Sequence, residues 1–339
     1  MHLIDIPVTA WLPIRTAIWK DRIEACADSM SRFIESIPQL AERVGSGISK
    51  VKASAASPPK SVFSRLAKTN IMVHARQTEF VRVTAICTLD RDKFNEDNPD
   101  HELDEDFAAA WAALNLASAM EALLVLTGLA EPGRVDANEG TALASPGGYA
   151  RIRASPSFFQ LWFPDSTDPT WPALATIPLA AVVEWSSKTS FLKGAFATTK
   201  VERMLAAYTQ MVQLAPHREG ETLFRAMQAL EAFYCDGIGD LRKQLAEKSA
   251  IWLGPWSERK NIVGHLYDMR SKFVHGSSKL QYSIDHADPW DEDEKHMSEF
   301  YYSVALATRL VVATLQKCIS DEVHNIEWSY SVKASRAGA

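Results

Sequence analysis

With 339 residues the chain is long enough for two ordinary domains and at least one large core. Its composition, 47% hydrophobic and 23% charged, is that of a globular protein and excludes a disordered one. The formal net charge of −6 excludes a protein that coats nucleic acid through bulk positive charge, so any such contact has to be a local patch.

The opening residues, MHLIDIPVTAWLPIRTAIWK, lack the basic region and clean apolar run of a signal peptide. From Pro13 to Val44 the apolar residues Ile23, Met30, Phe33, Ile37, Leu40 and Val44 recur at three- and four-residue spacing, which predicts an amphipathic helix. Its stripe docks on the protein's own core or, alternatively, makes a dimer contact. Gly45 to Lys60, GSGISKVKASAASPPK, is rich in Gly, Ser, Ala and Pro and reads as a flexible linker or long loop. Between Arg43 and Thr78 there is no acidic residue, while Arg43, Lys50, Lys52, Lys60, Arg65, Lys68 and Arg76 are present. That stretch is a solvated basic loop, with contact to a phosphate backbone as the sharper reading.

In FVRVTAICTLD, Val81, Val83, Ala85, Cys87 and Leu89 alternate with polar residues, which predicts a half-buried strand. Phe107 to Ala130 is long and nearly uncharged, so a membrane span has to be weighed. Glu121 lies inside it and Asp104, Glu105 and Asp106 crowd its start, where acids favour a helix through its dipole. With Gly128 near its end, the segment is expected to be the buried central helix of a soluble domain. PGGYARIRASPSFFQLWFP and IPLAAVVEW read as further strands broken by Gly and Pro. The four cysteines, Cys26, Cys87, Cys235 and Cys318, form no CxxC pair and no zinc-spaced cluster, so reduced and mostly buried thiols of a cytoplasmic protein are expected.

From about residue 200 the pattern is helical. VERMLAAYTQMVQLA, ETLFRAMQALEAFYC, DLRKQLAEKSAIWL, the helix inside ERKNIVGHLYDMRSKFVHG, and EKHMSEFYYSVALATRLVVATLQKCI make a bundle. Asp240 is placed to cap the third of these, with Gly254 after its end. The expected organisation is an amphipathic helix over 1–44, a flexible basic linker over 45–69, an α+β sensor or regulatory domain over 70–198 and a helical bundle over 199–325. The fold class is therefore mixed, an α+β region followed by an all-α bundle.

The segment YDMRSKFVHG, Tyr267 to Gly276, carries the chemistry. Arg270 and His275 are five residues apart, about 140° around an ideal helix, so spacing alone does not put them on one face. Gly276 changes this, because a glycine after the last turn adopts the left-handed conformation that ends a helix. An arginine fork grips a phosphate in two places and an imidazole moves a proton near neutrality. Together these groups suffice for metal-free RNA cleavage, in which the 2′-hydroxyl attacks the neighbouring phosphorus. The bland alternative is a pair of cationic side chains ending a helix and complementing its dipole.

RAMQALEAFYCDGIGDLRKQLAEKSAIWLG and LYDMRSKFVHG resemble the first helices and the Arg–x4–His signature of the HEPN superfamily, specifically the Apea-like HEPN domains, over about 200–319. The resemblance implies a helical bundle that pairs as a homodimer and brings two Arg–His motifs over one cleft. It implies a metal-independent RNA endonuclease without cofactor, of the kind used in antiviral defence and toxin–antitoxin systems. Arg270 would bind phosphate and His275 would act as acid and base. Ser271 is a supporting hydrogen-bond donor and Glu231 matches an acidic position of the first helix. Arg259, Lys260, Lys272 and Lys279 form the local basic cluster for RNA. Other members of the superfamily are non-catalytic modules that bind a regulatory protein partner or RNA, and that is the alternative here. The loop with Asp285, Asp288, Asp291, Glu292, Asp293 and Glu294 opposes RNA binding by its charge. It is either a solvated helix start or a gate over the cleft. No GxGxxG, P-loop, HExxH or GxSxG motif is present.

Overall fold

The computed structural model describes residues 2–15, 23–69, 78–99, 103–135, 137, 139–154, 171–194, 196–213, 219–255, 262–277 and 289–329, without the side chains of 15, 23–25 and 289–292. The fold is mixed, with one five-stranded antiparallel sheet followed by a helical bundle. In chain order the elements are β1 (Leu3–Arg15), α1 (Ile23–Val44), β2 (Ile48–Ala55), α2 (Lys60–Thr69), β3 (Thr78–Asp90), α3 (Arg91–Asp97) and α4 (Glu105–Ala130). Then come β4 (Gly140–Ala144), β5 (Gly148–Ile152), α5 (Leu179–Ser187), α6 (Lys200–Val212), α7 (Glu219–Tyr234), α8 (Leu241–Leu253), α9 (Ile262–Val274) and α10 (Pro289–Ser320).

The sheet order is β2-β3-β1-β4-β5, so β1 lies at its centre. β1 and β3 pair along their whole lengths, from Leu3 opposite Asp90 to Arg15 opposite Thr78. Ile6, Val8, Ala10, Leu12 and Ile14 alternate toward the main core, on the face covered by α1 and α4. Trp11 points the other way and joins Phe80, Val62 and Leu66 in a small second core under α2. The expected strand around Val81–Leu89 is β3, and the stripe of α1 docks on the chain's own core through Phe33, Ile37 and Leu40.

Four sequence expectations are corrected. The helix predicted from Pro13 does not include residues 13–15, which belong to β1, where Pro13 pairs with Phe80; its described part is Ile23–Val44. The flexible linker over 45–69 is instead β2 and α2; only Ile48 and Val51 of β2 are buried, so an edge strand with polar and small residues imitates a linker. IPLAAVVEW is not a strand but contains α5, whose buried residues Val182, Val183, Trp185 and Ser186 follow helical spacing. The basic stretch is partly consumed internally: Arg43 pairs with Glu184, and the Arg65 guanidinium lies 4.5 Å from the centre of the Tyr149 ring. Arg76 lies outside the described residues.

α4 is long and apolar enough to cross a membrane, yet it is the central helix of the fold. The Asp104 carboxylate accepts from the Phe107 amide at its start. It runs to Ala130 with Gly128 buried inside its last turn rather than ending it. The sheet covers one side, and α5, α6 and α10 lie on others, so a single apolar core runs from the sheet into the bundle.

Buried polar bonds lock the layers together. The Gln316 amide on α10 donates to Leu129 O (2.8 Å) and Ala175 O (2.7 Å), and its oxygen accepts from Ala175 N (2.9 Å). The Ile177 amide takes the Ala130 carbonyl at 2.8 Å. Two carbonyls that a helix end leaves orphaned are thereby satisfied from across the fold. The Tyr208 hydroxyl on α6 donates to Val125 O of α4.

Inside the bundle, Thr199 and Glu202 form a reciprocal capping box at the start of α6. Asp240 caps α8 through the Lys243 amide, and Gly254 closes it at φ 88°. α10 is interrupted at Asp293, whose carboxylate accepts from the His296 amide, as the start of the long apolar part requires. The tail after α10 crosses back over the bundle, where the Trp328 indole donates to Phe233 O among the rings of Phe233, Tyr234 and Trp252.

Candidate functional site

α9 exists because Val263, Leu266 and Met269 give it a buried face against α7, α8 and α10. Its exposed side pairs with α8 through Asp268 and Arg242 at 3.4 Å. Tyr267, Arg270 and Phe273 follow one another at three-residue steps along the flank toward α7. Phe273 packs over Gly220 of α7 so closely that a Cβ there would collide with its ring. The Tyr267 hydroxyl is buried, with no hydrogen-bond partner at bonding geometry. Burial pushes its pKa up, and the charges of Glu231 and Cys235 on α7 push it further. Burial, reinforced by Glu231, also raises the Cys235 thiol to about 11.

Arg270 sits between these two contacts, half-buried. Its Nε is buried without a partner, and the side chain makes no hydrogen bond or ion pair among the described residues. The Nε has lost water without gaining an acceptor, while the side chain as a whole is only half-buried, an arrangement that leaves the guanidinium able to take a phosphate or carboxylate.

The end of α9 is a Schellman motif. The Ser277 amide bonds to Lys272 O (2.9 Å) and the Gly276 amide to Phe273 O (3.2 Å), with Gly276 at φ +67°. Gly276 thus takes the left-handed turn its position predicts. His275 is the C-cap: its amide bonds to Ser271 O at 2.9 Å, while the ring is exposed and has no hydrogen-bond partner among the described residues.

The site residues read from the sequence are therefore only partly gathered. Arg270 lies on the flank toward α7, and Glu231 of α7 is near Tyr267, one turn before it. His275 is at the exposed C-cap, and Ser271 and Lys272 are exposed. Arg259, Lys260, Lys279, Asp285 and Asp288 lie outside the described residues, as do the side chains of Asp291 and Glu292. Asp293 caps a helix and Glu294 is exposed. Sequence reasoning missed Tyr267; the signal was its place one turn before Arg270 on the same flank. No protein-family model, no curated protein and no solved structure matches this chain.

Proposed function

We propose that the chain is a metal-independent ribonuclease of HEPN type, acting as a homodimer through Arg270 and His275. The observation that carries the reading is the unpartnered, half-buried Arg270 one turn before a glycine-closed C-cap that exposes His275. Arg270 binds the scissile phosphate and stabilises its developing charge. His275 takes the proton of the attacking 2′-hydroxyl, and the imidazolium of the second copy gives one to the departing 5′-oxygen. The products are a 2′,3′-cyclic phosphate and a free 5′-hydroxyl. A defence or toxin role, and an acidic gate at 291–294, belong to the same proposal.

The exposed His275 ring, which no described group orients, favours a second reading: a non-catalytic HEPN module that binds a partner protein or RNA. Purified protein incubated with total RNA and tRNA in EDTA separates the two. The ribonuclease leaves cyclic phosphate ends, and Arg270→Ala and His275→Ala, each verified as folded, lose at least about 100-fold of the rate. Cleavage that survives both substitutions refutes the site. A strict monomer that cleaves neither substrate supports the module.

A further inference from the structure

A cavity of about 390 Å³ lies where α1, the end of α4 and the start of α5 meet. None of its lining residues belongs to α9, and it is independent of the ribonuclease reading. Its volume is at the lower end of the roughly 300–1,000 Å³ of small-molecule sites. Phe33, Ala130, Ile177 and Leu179 give it apolar walls. At its edge Arg32 grips Glu131 through two bonds, Nε to Oε1 at 3.1 Å and Nη2 to Oε2 at 2.7 Å. Nη2 also donates to Ser29 Oγ at 3.0 Å, while Nη1 donates to no described residue.

These details define the occupant. The bidentate pair is already neutral, so an anion would meet the Glu131 carboxylate and a cation the Arg32 guanidinium. The walls reward apolar surface. Thr127, on the wall, spends its hydroxyl proton on Leu123 O, so it cannot donate. Ser36 spends its hydroxyl proton on Phe33 O, so the donors left at the rim of the apolar chamber are the half-exposed Arg32 guanidinium, through Nη1, and the exposed Thr176 hydroxyl. We propose that this cavity binds a small, uncharged, mainly apolar molecule with one carbonyl or hydroxyl oxygen, which accepts from Arg32 Nη1. Its occupant braces the 176–180 segment, whose neighbour Ala175 is held on both backbone groups by Gln316 of α10. Gln316 is thus one of the links that join the site to the bundle.

The test titrates the full chain by calorimetry with acetophenone, a phenyl ring with one carbonyl, and with benzoate, its anionic counterpart of equal size. Acetophenone is expected to bind saturably with a Kd of roughly 1 mM or tighter, and benzoate at least about tenfold more weakly. Thr176 and Ala180 line the cavity at exposed positions, so Ala180→Trp fills it without touching the core. Thr176→Trp is the second variant, and circular dichroism verifies that both fold. Each is expected to weaken acetophenone at least about tenfold. In the wild type, acetophenone slows amide exchange at Ala175 and Ile177. Absence of saturable binding to about 10 mM, equal affinity for benzoate, or full binding by both tryptophan variants overturns the proposal.

Discussion

Gln316→Leu is the sharpest test of the continuous core. The side chain is only 4% exposed and satisfies three backbone groups at 2.7–2.9 Å. Those groups are not equal. Leu129 is fully buried, so its carbonyl loses its partner with no water to replace it, at about 2 kcal/mol. Ala175 is exposed, so its amide and carbonyl recover solvent and cost about 0.5 kcal/mol each. The leucine is close in volume and offsets part of this, leaving roughly 2–3 kcal/mol. For a chain of 339 residues that lowers Tm by about 3–4 °C. Gln316→Glu is expected to be worse at neutral pH, because a carboxylate would face the two carbonyls that now accept. Urea unfolding followed by circular dichroism and tryptophan fluorescence gives both values. A Gln316→Leu protein within about 0.5 kcal/mol of wild type, or a wild type whose sheet and bundle unfold in separate transitions, refutes the reasoning.

Gly276→Ala costs about 1 kcal/mol, all of it backbone strain at φ +67°, since nothing lies within 4 Å of the added methyl; an unchanged urea midpoint sinks this. Glu202 is raised by burial but lowered further by the amides of Thr198, Thr199 and Ser190, to about 2 from 4.5. Its contribution is therefore present above pH 4.5 and lost as pH falls toward 2. Glu202→Gln should melt lower at pH 7 and show a shallower acid loss across that window; an identical acid profile counts against the capping box. Burial pushes the thiols of Cys87 and Cys318 to about 11 and about 12, and all four cysteines are buried outside any disulfide. Ellman's reagent at pH 8 should find four thiols only after denaturation, and rapid native labelling of all four contradicts the burial.

How legible these features are in the sequence depends on where their cause resides. α4, α8 and the end of α9 announce themselves because Asp104, Asp240, Gly254 and Gly276 act within a turn of where they sit. β1 is hidden because Pro7 and Pro13 argue against a central strand, yet they pair opposite Ile86 and Phe80. α5 is too short for periodicity to outweigh Val182 and Val183, whose β-branched side chains suggest a strand. At the candidate site, the position of Arg270 on its helix is readable, but its missing partner is a property of the α7–α9 contact. The Arg32–Glu131 pair joins residues of distant segments and leaves no local trace at all.

The sheet order has a consequence for the newborn chain. β1 is made first but stands in the centre, and its long partner β3 ends only at Asp90. At ordinary ribosomal speed β1 waits on the order of ten seconds for that partner, and longer for β4. Through that interval Ile6, Val8, Leu12 and Ile14 have neither sheet nor α4 to cover them. Its two prolines, which lack an amide to offer another chain, then become an asset: they blunt a nascent strand that would otherwise template aggregation.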